Sequence, residues 1–315
     1  MERLVVAQKS DRGLKRAVNE DTCDFRIPAA GTDEARFGAL FVVADGVGSM
    51  GSGDHASHAA VETLLDSYYD PELDDEDPRE RLIAAIQDAH EAVLARVRAH
   101  DGRSLGTTLV GAAVLPSGRV VLFNVGDSRI YRVRGRGIDQ LTADQSAVDP
   151  RGGGDDRAKL TAYVGQPRPI VPQVDQQQLQ PGDTLVICSD GLWGLVEAAD
   201  IANVVRANPP SVAVERLVDQ VYAKGARDNV TVMLIQYGGA RRRGRVFVLL
   251  IAIAVVLAAG LAVIQLRQNP AATDPAGGDI TAVTVEAPSA QTEAAPATDN
   301  GGSLLIVRTP TIEAQ

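Results

Sequence analysis

Nineteen consecutive residues, Val246 to Ile264 (VFVLLIAIAVVLAAGLAVI), carry no charged or polar side chain. As a helix rising about 1.5 Å per residue, the run spans roughly 28 Å, close to the hydrocarbon thickness of a bilayer. A fully buried core helix is the competing explanation, but the run reaches the length at which a membrane span is expected. Arg241, Arg242, Arg243 and Arg245 precede it, whereas Arg267 stands alone just beyond it. Excess positive charge marks the cytoplasmic flank. The expectation is therefore a single-pass plasma (inner) membrane protein. Residues 1–238 form a cytoplasmic domain, 239–245 a basic juxtamembrane linker, 246–266 a transmembrane helix in contact with the lipid bilayer, and 267–315 an extracytoplasmic tail. That tail is rich in Ala, Thr, Pro, Gly and Asp. It buries too little apolar surface to offset the entropy of ordering, so disorder is expected, with Ser303–Val307 as its one strand-like stretch. The opening MERLVVAQKSDRG shows no apolar signal-peptide core.

Composition narrows the function classes. The net charge is −10 and only four lysines are present, so no basic platform for nucleic acid exists. Two cysteines, Cys23 and Cys188, exclude a disulfide framework and a cysteine-rich zinc module. His55, His58, His90 and His100 fall in no paired ligand spacing and read as residues on helix surfaces.

Residues 1–238 show strand-like runs at 39–44, 107–115, 119–125, 129–133, 184–188 and 230–236. Pro116-Ser117-Gly118 joins two of them as a hairpin signal, which favours antiparallel neighbours. Apolar residues recur at helical spacing over 54–69 and over 79–98, the second following Pro78. A third helix is expected from Ser211 as N-cap to Gly225 as C-cap. Hairpin runs with helices grouped between them indicate an α+β fold rather than alternating βαβ units.

Carboxylates at strand ends are the chemical signal. Asp45 ends Leu40–Ala44, Asp127 follows Val120–Gly126, Asp190 follows Leu185–Ser189, and Asp228 immediately precedes the strand that opens at Val230. Asp21 belongs to Arg16-Ala17-Val18-Asn19-Glu20-Asp21. One such Asp is an ordinary turn residue. Four on four strands suit a hard cation such as Mg²⁺ or Mn²⁺, which takes oxygen ligands.

Other motifs fail on context. Gly46-Val47-Gly48-Ser49-Met50-Gly51 has the spacing of a dinucleotide fingerprint. The acidic residue that such a site needs at the end of a second strand would fall within the helix over 54–69. No phosphate-binding G-x-x-x-x-G-K loop exists, and a cysteine phosphatase would need Arg where Ala29 and Gly194 stand.

Six motifs in order resemble a known family. They are Arg16-x-x-Asn19-Glu20-Asp21, Val43-Ala44-Asp45-Gly46-Val47-Gly48, Leu105-Gly106-Thr107-Thr108, Gly126-Asp127-Ser128-Arg129, Ser189-Asp190-Gly191-Leu192-Trp193 and Asp228-Asn229-Val230-Thr231-Val232. Together they look like the successive motifs of the metal-dependent type 2C (PPM) serine/threonine protein phosphatases, over roughly residues 5–237. The resemblance implies a four-layer α-β-β-α sandwich of two antiparallel sheets flanked by helices. It also implies a centre for two Mn²⁺ or Mg²⁺ ions. In that reading Asp45 bridges both ions with the Gly46 carbonyl on one, Asp190 and Asp228 complete one ligand set, and Glu20 and Asp21 hold the other ion, partly through water. Arg16 clamps the substrate phosphate. Water activated between two cations then attacks phosphorus in line, without a nucleophilic Ser or Cys. The implied substrates are phosphoserine and phosphothreonine proteins, with Ser/Thr kinases as the opposing enzymes and partners.

Two departures stand out. Val47 occupies the place where many relatives carry a His that protonates the leaving group. A third, weaker metal in many relatives uses the Asp of the Gly-Asp-Ser-Arg motif, here Asp127, with an acidic residue where this chain has Gly194. The third site is therefore expected to be weak or empty, and the segment from Asp144 to Lys159, with three glycines, to be mobile. A pseudophosphatase that only binds phosphorylated partners is the alternative, but Asp21, Asp45, Asp190 and Asp228 are all retained. The stress- and sporulation-regulator branch of the superfamily usually lacks the arginine that Arg16 supplies.

Overall fold

The computed structural model describes residues 4–48, 53–73, 77–99, 105–147, 159–238 and 307–308. The expected membrane helix at 246–266, the basic linker at 239–245, most of the tail and residues 148–158 of the expected mobile segment lie outside them. Among the described residues no helix is long and apolar enough to cross a membrane.

In chain order the strands are β1 (Leu4–Asp11), β2 (Asp21–Arg26), β3 (Ala39–Gly48), β4 (Leu105–Thr107), β5 (Leu109–Val114), β6 (Arg119–Val125) and β7 (Arg129–Arg134). They continue as β8 (Gly137–Gln140), β9 (Ser146–Ala147), β10 (Lys159–Leu160), β11 (Gln173–Gln178), β12 (Thr184–Cys188), β13 (Val230–Tyr237) and β14 (Val307–Arg308). The helices are α1 (Gly53–Tyr68), α2 (Pro78–Ala99), α3 (Asp190–Trp193), α4 (Ala198–Ala207) and α5 (Pro210–Ala223). One sheet runs β14-β1-β13-β12-β7-β8 and the other β11-β6-β5-β3-β2, with β4 added to β3. All pairings are antiparallel.

Strand side chains alternate between faces, and here both faces of each sheet are covered. On β3, Ala39, Phe41 and Val43 face the other sheet, and with Val110 and Leu122 of their own sheet they meet Ile187, Met233 and Ile235 across the interface. Leu40, Val42 and Ala44 face outward onto Ala60, Leu64, Leu82 and Ile86 of α1 and α2. The other sheet does the same, with Val186, Cys188, Val232 and Leu234 packed on Ile201, Leu217 and Val221 of α4 and α5. Double coverage explains why the central strands read as continuous apolar runs rather than alternating ones. The expected order of helix, sheet, sheet and helix is thus observed.

Three expectations are corrected. The single strand expected over 107–115 breaks at Thr108, because the Thr108 N–H turns to the carbonyl of Asp45, 2.9 Å away. The third helix begins at Pro210 with Pro209 as its N-cap, two residues ahead of the expected cap Ser211, since proline is pre-set for the first helical turn, and its C-cap is Lys224 rather than Gly225. His90 is buried rather than superficial, and its Nδ1 accepts the Gly165 N–H at 3.1 Å. In the tail, Val307 and Arg308 pair with Val6 and Val5 at the edge of β1. This ladder catches only the last residue of the expected Ser303–Val307 strand.

Candidate active site

The apolar stripe between the sheets turns polar at one end. Asp45 follows Phe41 and Val43 on the same side of β3, and it stands directly opposite Asp21 of β2 in register. Ser189 continues the stripe of Leu185 and Ile187, and Thr231 continues that of Met233 and Ile235. Four polar residues thereby end four neighbouring inter-sheet stripes. Ser189 Oγ donates to Asp21 Oδ2 at 2.7 Å and accepts the Thr231 N–H at 3.0 Å. Asp21 Oδ1 is buried and has no hydrogen-bond partner among the described residues.

The backbone of Asp45 is held from both sides. Its N–H donates to Thr108 Oγ1 at 3.0 Å, and its carbonyl accepts Thr107 Oγ1 and the Thr108 N–H, each at 2.9 Å. Thr108 Oγ1 also shares a hydrogen bond with Ser128 Oγ at 2.8 Å. The threonines of the Leu-Gly-Thr-Thr motif and the serine of Gly-Asp-Ser-Arg thus position Asp45, a role that their sequence did not disclose. The carboxylate of Asp45 itself makes no hydrogen bond among the described residues and lines an open cavity of about 550 Å³.

Two glycines allow the remaining acids to approach. A Cβ on Gly191 would lie 1.8 Å from the Asn229 carbonyl oxygen, so only glycine lets the first turn of α3 sit against the turn that carries Asp228. A Cβ on Gly46 would lie 2.5 Å from the Glu20 carbonyl oxygen and 2.4 Å from that of Gly53. That close approach lets Glu20 Oε1 accept the Gly53 N–H at 2.9 Å, at the amino end of α1, where a carboxylate is favoured. Asn229 ties the two halves of the site, since its Oδ1 accepts the Glu20 N–H at 2.9 Å. Its Nδ2 donates to the carbonyls of Arg12 and Val18.

The same cavity is lined by Arg16, Glu20, Asp45, Asp127, Asp190 and Asp228. Of the sequence-predicted site residues only Asp21 is not in the lining; it stands behind Asp45, nearly buried. Arg16 grips Asp228, Nε to Oδ1 at 2.7 Å and Nη2 to Oδ2 at 2.8 Å, and reaches Glu20 Oε2 at 3.4 Å. Gly194 and Val47 both line the cavity. The Gly194 N–H donates to the Asp190 carbonyl at 2.8 Å, and no carboxylate stands there. Arg129 forks onto Asp144 and lies 3.6 Å over the Trp193 ring, which joins β7 to the segment after β8.

Crowding of like charges shapes the electrostatics. Burial, then Asp21, Asp190, Asp228 and Asp127, holds the Asp45 carboxyl well above the usual carboxylate range. Burial pushes Asp21 up to about 7, partly offset by the hydrogen bond from Ser189 and the nearby Thr231 hydroxyl. Burial and the nearby Asp190 and Asp144 push Asp127 up to about 6. A divalent cation would relieve this repulsion and satisfy the orphaned Asp21 oxygen, so the donor set fits hard oxygen-seeking ions. Among the described residues no three acidic, histidine or cysteine side chains already close around a single point. The acids ring the cavity instead and leave room for water among the ligands.

The comparisons agree with this architecture. The serine/threonine protein phosphatase PstP of Mycobacterium tuberculosis is 29% identical over 249 residues, covering 73% of this chain but 44% of PstP. This chain therefore spans less than half the length of that relative. The serine/threonine phosphatase stp of Listeria monocytogenes is 31% identical over 245 residues, covering 72% of this chain and 94% of that protein. The crystal structure of M. tuberculosis PstP has a TM-score of 0.64 at 28% identity, covering 75% of this chain and 100% of that one. The PstP catalytic domain in complex with two manganese ions gives 0.62 at 27%, with coverage of 75% and 100%. A family profile described as protein phosphatase 2C matches residues 12–224, from the loop that carries Arg16 to the end of α5. On that match the chain belongs to the protein phosphatase 2C family.

Proposed function

We propose that this chain is a metal-dependent protein serine/threonine phosphatase that hydrolyses phosphoserine and phosphothreonine in proteins and opposes Ser/Thr kinases. The observation that carries the reading is the polar end of the inter-sheet core. There Asp45, with no partner for its carboxylate among the described residues and braced by Thr107 and Thr108, meets four further acids and Arg16 around one cavity. Asp45 would serve both cations, with the Gly46 carbonyl on one of them; Asp190 and Asp228 would complete one ligand set and Glu20 and Asp21 the other, with Mn²⁺ or Mg²⁺ as the ions. When bound, two such cations supply Lewis-acid activation of water and shielding of the phosphoryl charge. The protein's own work is positional. The threonine clamp fixes Asp45, Ser189 holds one Asp21 oxygen and leaves the other open, and Gly191 lets α3 bring Asp190 beside Asp228. Arg16 brings a planar fork of donors that suits phosphate oxygens. It lies at the cavity wall with two-fifths of its side chain exposed, where a ligand can compete for it.

The membrane proposal rests on the apolar run 246–264 and its arginine flank. The tether would keep the phosphatase domain at the cytoplasmic face. One observation favours a different place for the tail: the pairing of Val307–Arg308 with Val5–Val6 requires tail and domain on the same side of any bilayer. The two arrangements exclude each other.

Phosphate release from a phosphothreonine peptide, measured with and without Mn²⁺, tests the activity. Release that depends on Mn²⁺ and stops in EDTA is expected; release that persists in EDTA overturns the metal mechanism. No release, with tight peptide binding, moves the chain to the binding-only alternative.

A further inference from the structure

Two cations line the cavity among its acids, and they differ. Arg16 is engaged within the protein by Asp228 and Glu20. Arg227, the neighbour of Asp228, also lines the cavity, yet its side chain is exposed and makes no ion pair or hydrogen bond among the described residues. Its backbone is tightly held. Ala226 sits at φ 35 and Gly225 at φ 100, so the chain passes through a left-handed turn just before Arg227. A non-glycine residue keeps such a conformation only where its surroundings enforce it. Here the Ala226 N–H donates to the Val221 carbonyl at 3.0 Å and the Ala226 carbonyl accepts the Leu14 N–H at 2.8 Å. On the other side Asn229 holds the carbonyls of Arg12 and Val18. The turn is thus bolted to the loop that carries Arg16. That loop also exposes two large apolar side chains, Leu14 at 58% and Val18 at 43%.

We propose that Arg227 is a specificity-determining residue that binds an anionic group of the substrate protein beside the phosphorylated Ser or Thr, while Leu14 and Val18 offer apolar contact to the same segment. This rests on the phosphatase reading of the cavity. The anionic group is a carboxylate or a second phosphoryl group, since a guanidinium fork matches either. A guanidinium without an internal partner breaks no ion pair when it binds one. Because Arg227 is exposed, its contribution is a few-fold selectivity rather than an absolute requirement.

The test uses the full chain in detergent micelles with Mn²⁺ and four phosphothreonine peptides. They differ only at the neighbouring positions, which carry Ala, Asp, Lys or a second phosphothreonine. The expected kcat/KM for the Asp or doubly phosphorylated peptide is up to roughly fivefold above the Ala peptide, with the Lys peptide lowest. In Arg227→Ala these ratios fall to near one, and in Arg227→Lys they are intermediate. Ratios within one preparation cancel any difference in the fraction of active protein. Preference for Asp alone or for the second phosphoryl group alone supports the proposal and names the source of the charge. Wild-type protein without preference, or the same ratios in Arg227→Ala, overturns it. Binding of the labelled peptides to metal-chelated protein separates the two layers. Selective binding of acidic peptides through Arg227 with no phosphate release overturns the phosphatase reading and keeps the Arg227 contact.

Discussion

Arg16 and Asp228 face each other as a two-pronged ion pair, Nε to Oδ1 at 2.7 Å and Nη2 to Oδ2 at 2.8 Å. The side chains are 41% and 33% exposed, so the pair contributes at most about 1 kcal/mol of stability. A weak internal pair of this kind exchanges readily: a cation can draw Asp228, and a phosphate can draw Arg16. Arg16→Ala should therefore raise KM for phosphopeptides by about tenfold, with a smaller loss in kcat and little change in Tm. Steady-state kinetics and a thermal melt check this. An unchanged KM would remove Arg16 from substrate binding.

Asp45 carries opposite weights in folding and in catalysis. Its carboxylate is pushed up by burial and by four acidic neighbours, so it strains the metal-free fold. Asp45→Asn should abolish metal-dependent phosphate release and, in EDTA at pH 8, raise Tm above wild type. A lower Tm for the variant under those conditions would show that the acids are not crowded as described.

The same crowding sets a pH dependence. Asp21 titrates near 7 and Asp127 near 6 in the folded protein, against 3.8 for an unperturbed Asp. In between, the folded chain binds more protons than the unfolded one, so stability falls as pH rises. The contribution is complete below pH 4 and is lost by about pH 7. Melts in EDTA from pH 5 to 8 should show a declining Tm. Mn²⁺ should flatten the decline, and Asp21→Asn should shrink it. A Tm that rises across this range in EDTA would contradict the raised values.

Gly194 leaves Asp127 without an acidic partner at the position that many relatives use for a third ion. Asp127→Ala should therefore reduce activity less than Asp190→Ala. Titration of Mn²⁺ into wild-type protein should show two tight sites, with any third much weaker. Three sites of similar affinity would overturn the expectation.

Topology has a direct readout. A reporter fused after Gln315 should be extracytoplasmic if 246–266 crosses the membrane once with its arginine flank inside. A cytoplasmic signal would overturn that orientation and agree with the pairing of Val307–Arg308 on β1.

The central strands were legible because sheet faces buried on both sides select unbroken apolar residues, as in Leu185–Cys188 and Val230–Ile235. The strand-end acids announced a cation chemistry by their type alone. β11, with the sequence QVDQQQ, and β2, with DTCDFR, were not legible. They are edge strands whose half-exposed surfaces impose no apolar pattern. α4, too, hid between the clearer elements, and the burial of His90 depends on a loop more than seventy residues away. The features legible in the residues alone are local: strand cores, helix faces, the acids at strand ends and the apolar run. Folding alone brings certain acids into one cavity, sets Thr107, Thr108 and Ser128 as braces of Asp45, and pairs Arg16 while leaving Arg227 without a partner among the described residues. Those relations depend on register between strands far apart in the chain, and on close approaches such as Gly191 to Asn229, neither of which leaves a periodic trace in the residues themselves.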